Sequence, residues 1–157
     1  MPTPAPHEPC CECFQCPHCM AFPPYFSAEI TGVQSANDCQ DCQDANESFA
    51  LEAIPCENVG CGWYAFGHCG SFYTTCGDVT LIELRIGWSL VQGVLTSTVG
   101  LSIEHQGSGL SFEKTVVGPI NCYGPFTFTA DDLVDGSAPC DYSQATIVLT
   151  GVDDYPC

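Results

Sequence analysis

The stretch Val79–Leu90, VTLIELRIGWSL, decides how the chain folds. Branched and aromatic side chains dominate it, and apolar residues fall on both of its faces for part of its length. That is the pattern of a strand in the middle of a sheet. After it, Val94–His105 (VLTSTVGLSIEH) alternates around Gly100, where a glycine predicts a bulge or a turn between two strands. Working outward, further short alternating stretches read as strands: Tyr25–Val33, Ser48–Ile54, Cys61–Phe66, Ser71–Thr75, Leu110–Val117, Phe126–Thr129 and Ser143–Val152. Turn residues recur roughly every 8–12 positions. No segment combines helical period with good helix formers over a helix's length. The expectation is an all-β, disulfide-rich β-sandwich or jelly-roll-like domain of about eight to ten strands, spanning residues 25–157.

Residues 1–24 have a different composition. Prolines at positions 2, 4, 6, 9, 17, 23 and 24 exclude helix and interior strand, and Cys10, Cys11, Cys13, Cys16 and Cys19 are packed between them. This segment reads as an extended arm, held only if disulfides, a metal or a neighbouring copy tie it down. It shows neither the basic n-region nor the apolar h-region of a secretory signal. No apolar run in the chain reaches the ~18 residues of a membrane span.

Two Lys and Arg against nineteen Asp and Glu leave a net charge of −17. Nucleic acid is thereby excluded as a partner, because phosphate contact depends on Lys and Arg displacing counterions. Anionic membranes would repel the chain for the same reason. Copies of such a chain repel one another too, so close packing calls for divalent cations, salt or covalent links.

The fourteen cysteines are Cys10, Cys11, Cys13, Cys16, Cys19, Cys39, Cys42, Cys56, Cys61, Cys69, Cys76, Cys122, Cys140 and Cys157. An even count at this density in a short chain reads as a disulfide framework in an oxidising compartment, with a connectivity the sequence does not reveal. Neighbours such as Cys10 and Cys11 bridge each other only with strain, so they bond in different directions, inward or to another chain. Cys157 is read as a staple for the final strand or as an intermolecular lock. The alternative is zinc. Cys16 and Cys19, then Cys39 and Cys42, match the C-x2-C…C-x2-C spacing of a tetrathiolate site, with His7 and His18 as spare ligands. Against it, no Lys or Arg lies near to offset thiolate charge, and five cysteines in ten residues produce such spacings readily.

Other constellations are weaker. Asp131, Asp132 and Asp135, the pair Asp153–Asp154, and Asp38, Asp41 and Asp44 could each offer oxygens to calcium, although none matches an EF-hand loop. Trp63, Tyr64, Phe66, Phe72 and Tyr73 could stack on sugar rings, but at strand spacing such residues are more often core. Asn46-Glu47-Ser48 has the form of a glycosylation acceptor. No Gly-x-Ser-x-Gly occurs, and Glu104-His105 has no partner at a recognisable spacing, so the chain is not read as an enzyme.

Ile30-Thr31-Gly32, Cys39-Gln40-Asp41-Cys42, Asn46 through Leu51 and Cys61-Gly62-Trp63 follow one another in an order that resembles uncharacterised cysteine-rich β proteins of phage and planctomycete-type bacterial genomes. The resemblance covers residues 13–90, brings no activity or site residue, and implies a surface or particle-associated structural role. The expected function is a structural subunit of an extracellular filament, sheath or virion appendage, built head-to-tail from copies of itself through the arm, without a resident cofactor. A calcium-assisted carbohydrate-binding module and a small zinc protein are the alternatives.

Overall fold

The computed structural model describes residues 23–36, 40, 42, 46–54, 63–69, 79, 81–105, 108–118 and 120–154. They form nine strands: β1 (Tyr25–Thr31), β2 (Ser48–Ala53), β3 (Trp63–Cys69), β4 (Leu81–Val91), β5 (Val94–His105), β6 (Ser108–Val117), β7 (Phe126–Thr129), β8 (Leu133–Gly136) and β9 (Thr146–Val152). A single 3-10 turn, Ala130–Asp132, joins β7 to β8. All nine belong to one antiparallel sheet in the order β7-β9-β1-β2-β3-β4-β5-β6-β8.

The all-β expectation holds, with one difference in construction. The two layers of the expected sandwich are parts of one continuous sheet that rolls until its ends nearly meet. Its edge strands, β7 and β8, are consecutive in the chain, so that one short crossing segment pairs first with β9 and then with β6. Phe112 of β6 lies against Phe128 of β7 with ring centroids 6.3 Å apart, which closes the core across this seam. Gly136, at φ +95°, lets β8 approach β6 closely; a Cβ there would collide with the Gly109 carbonyl oxygen.

Period-two alternation explains which side chains are inside. Phe26, Ala28 and Ile30 of β1, Ile82, Leu84 and Ile86 of β4, and Val99, Leu101 and Ile103 of β5 are all buried on the concave face. Phe26 is the hub, 4.6 Å from Phe66 edge-on and 5.9 Å from Phe126 in a stacked arrangement. Each such ring contributes roughly 1.5–3 kcal/mol of burial. Ion pairs add little. Arg85 pairs with Glu83 and Lys114 with Asp132, and in each the basic side chain is well exposed.

β4 is an interior strand between β3 and β5, as its composition predicts. Gly100, however, marks neither bulge nor turn. β5 runs through it in unbroken register with both neighbours, pairing Gly100 with Arg85 and with Glu113. The reason is space: the nearest atom to a Cβ on Gly100 is 3.9 Å away, so the glycine sits on an open convex face and demands no distortion. The irregularity falls at Ser111/Phe112 instead, where β8 begins to pair. The turn between β4 and β5 is Gln92-Gly93, both at positive φ (53° and 79°), the type I′ geometry that matches strand twist.

Candidate functional site

Cys42, in the loop before β2, is joined to Cys140, in the loop before β9, across 98 positions of sequence with a Cα–Cα distance of 5.9 Å. Both are buried within the core cluster. Cys69, at the end of β3, and Cys122, ahead of β7, are disulfide-bonded as well, so every cysteine among the described residues is oxidised. This alters the zinc alternative. The Cys42 sulfur is committed to Cys140 and is no thiolate, so the spacing-derived set of Cys16, Cys19, Cys39 and Cys42 lacks its fourth ligand. Cys10, Cys11, Cys13, Cys16, Cys19, Cys39, Cys56, Cys61, Cys76 and Cys157 lie outside the described residues.

Around the Cys42–Cys140 bridge the chain is tied by groups whose roles the sequence did not announce. Gln34 and Asp141 exchange backbone hydrogen bonds, 2.9 Å each way, as an isolated β-bridge. Asn46 clamps Val33: the Val33 N–H donates to Asn46 Oδ1 (2.8 Å), and Asn46 Nδ2 donates to the Val33 carbonyl (2.9 Å). The nitrogen that a glycan would occupy is therefore already engaged in holding the strand exit of β1. Asp141 Oδ1 accepts from the Ser143 N–H at 2.8 Å, which holds its carboxyl below the usual range. Burial pushes the neighbouring Tyr142 hydroxyl above the ordinary phenol range.

Two of the carboxylates expected to gather calcium already have protein partners. Asp132 Oδ2 accepts from the Thr129 N–H at 2.9 Å as the cap of the 3-10 turn and lies 3.4 Å from Lys114 Nζ. Asp153 accepts from the Tyr123 hydroxyl at 2.7 Å, a bond that raises the pKa of that phenol. Asp38, Asp41 and Asp44 lie outside the described residues. Among the described residues, no group of three or more His, Cys, Asp or Glu is placed to hold a metal. In the aromatic cluster, Phe66 is fully buried at the hub and cannot stack on a sugar. Phe72 and Tyr73, and the side chains of Trp63 and Tyr64, lie outside what is described. The side chain of His105 does too, while Glu104 is exposed at the end of β5.

No family model, curated protein or solved structure matches this chain. Its surface is then the remaining guide. A recess of about 340 Å³ opens beside the seam, walled by Leu110, Phe112, Leu133 and Tyr142 and rimmed by Ser137 and Asp141. Ser143 also lines it, and both its backbone N–H and its side chain hydrogen-bond to the Asp141 carboxyl. More telling is the far end of the β4–β5 hairpin. Leu90 (72% exposed), Val91, Val94 and, beside them on β6, Val116 and Val117 (74% exposed) turn branched aliphatic side chains into solvent. The register pairs Val91 with Val94 and Thr96 with Val117, which puts Val91, Val94 and Val117 on one face of the sheet end and Leu90 and Val116 on the other. They are exposed aliphatic side chains gathered at one end of the sheet. Alternation alone did not reveal it, because the same residues read equally well as core.

Among the described residues, no helix is long and apolar enough to cross a membrane.

Proposed function

We propose that the chain is a structural subunit of an extracellular homopolymer, a filament, sheath or virion appendage, joined through its N-terminal arm and reinforced by disulfides. The observation that carries this reading is the apolar end formed by Leu90, Val91, Val94, Val116 and Val117 on a chain of net charge −17. Like-charged copies repel at long range, with a screening length of about 8 Å at physiological salt. They associate only where uncharged surface makes contact, and the apolar end supplies such surface. The disulfides support an oxidising location, since cytosolic thiols are kept reduced. They also supply the rigidity that a building block needs, independently of any cofactor.

The test is deletion of the arm. The cut belongs after residue 22, since Pro23 is buried and the Pro24 carbonyl accepts from the Ala53 N–H at 3.1 Å. Under oxidising conditions the full chain should form polymers visible by electron microscopy and light scattering. The truncated chain should be a folded monomer. Polymers that form equally well without residues 1–22 would remove the arm from the mechanism.

A further inference from the structure

The β5–β6 ladder fixes the direction of every backbone group along β6. The Gly118 N–H donates to the Leu95 carbonyl (2.8 Å), and the register runs unbroken from Thr96↔Val117 to His105↔Ser108. In an antiparallel pair, hydrogen-bonded and non-hydrogen-bonded positions alternate. Phe112, Lys114 and Val116 therefore bond to β5, while Glu113, Thr115 and Val117 turn their N–H and C=O groups to the opposite side. The bond from the Ser137 N–H to the Gly109 carbonyl (2.9 Å), made on that opposite side, has the same phase. β8 occupies this side only as far as Phe112. Beyond it, no described strand pairs with Glu113–Val117, and Glu113, Thr115, Val116 and Val117 are exposed.

This edge has what strand addition requires: a row of main-chain donors and acceptors for affinity, and flanking side chains for specificity. It is continuous with the apolar end at Leu90, Val91 and Val94. It also carries Lys114, one of the two Lys and Arg residues in the chain, its Nζ 3.4 Å from Asp132 Oδ2 and its side chain 40% exposed. Proteins ordinarily blunt such an edge with proline, charge or a covering segment.

We propose that the Glu113–Val117 edge of one copy accepts residues 10–16 of a second copy as an added β-strand. The proposal rests on the structural-subunit reading and names its acceptor. Residues 10–16, CCECFQC between Pro9 and Pro17, form the longest proline-free run of the arm, so each keeps the N–H that a ladder consumes. The run is long enough to cover the five residues of the edge. It brings one carboxylate, Glu12, to an edge holding Lys114, and one aromatic ring, Phe14, to the apolar end. Donor and acceptor are different surfaces of the same chain, so the contact is heterologous and propagates.

The full chain under oxidising conditions provides the test, with two variants. Thr115→Pro removes an N–H from the free edge and leaves the bonds to β5 intact; it should lower polymer yield by roughly tenfold or more, the equivalent of about 1.4 kcal/mol per subunit contact. A photoreactive benzoyl-phenylalanine in place of Val117 should crosslink, by peptide mass spectrometry, to residues 10–16 of another copy. Wild-type polymers that crosslink elsewhere, or that form undiminished with Thr115→Pro, overturn the acceptor edge and leave the structural-subunit reading standing. A wild-type chain that stays monomeric overturns both. Should Thr115→Pro fail to fold, the crosslink alone decides.

Discussion

Replacing Cys42 and Cys140 together by alanine tests how far this fold depends on its crosslinks. The bridge spans 98 positions, and both sulfurs are buried in the core. In the chain-entropy account, closing a loop of about 100 residues restricts the unfolded chain by about 4.7 kcal/mol at 25 °C. That figure is an upper bound here, because the bridges at Cys69 and Cys122 already restrict the unfolded chain. A loss of about 3–4 kcal/mol is the expectation, the lower part of it from shortened loop closure and the rest from two small voids. At about 2–4 °C per kcal/mol for a chain of this size, Tm should fall by about 6–16 °C. Thermal unfolding followed by circular dichroism, in buffer without reductant, reads this directly. A double variant melting within about 2 °C of the wild type would refute the reasoning, because it would show the fold indifferent to its longest described crosslink.

Phe26→Ala removes the hub between Phe66 and Phe126 and should cost about 3–5 kcal/mol, measured as a lower urea midpoint at unchanged m-value. Asn46→Ala breaks both halves of the clamp on Val33 and leaves a backbone N–H and C=O to find new partners; about 1–3 kcal/mol should be lost, whether or not the host attaches glycans. A stability unchanged by Asn46→Ala would mean the clamp is incidental. His68 is half-buried beside Phe49, and desolvation holds its pKa below the ordinary value. The unfolded chain therefore takes up this proton first as pH falls. Its stabilising contribution is complete above about pH 6.5 and is lost as pH falls through that value toward the lower folded pKa. The Tm difference between wild type and His68→Gln should accordingly shrink on acidification from pH 7.5 to 5, and a difference constant across that window would count against this role.

What the sequence reveals follows from how local each signal is. The alternation of Phe26, Ala28 and Ile30, and of Ile82, Leu84 and Ile86, is carried by neighbouring residues, so those strands were legible. β8, Leu133-Val134-Asp135-Gly136, was not, since all four residues are exposed and no face of it is apolar. Its existence depends on the approach of Gly136 to Gly109, a contact between segments distant in sequence. Gly100 misled because a glycine looks the same in sequence whether it bends a strand or lies on an open face. Of the candidate site, the oxidised state of Cys42, Cys69, Cys122 and Cys140 matches the compositional reading, whereas the pairing of Cys42 with Cys140 is set by the roll of the whole sheet. Asn46 read as an acceptor for sugar because its tripeptide is local, while its bond to Val33 spans 13 positions. The apolar end was hidden for the opposite reason: hydrophobicity is visible in sequence, but exposure is not.

The account stands on sulfur chemistry, and native-state thiol counting reaches it most directly. Protein purified without reductant, denatured in the presence of iodoacetamide, digested and mapped by peptide mass spectrometry, should carry no alkyl adduct at Cys42, Cys69, Cys122 or Cys140, before and after treatment with a chelator. Stoichiometric alkylation of Cys42 or Cys140, or adducts that appear only once metal is withdrawn, would contradict it.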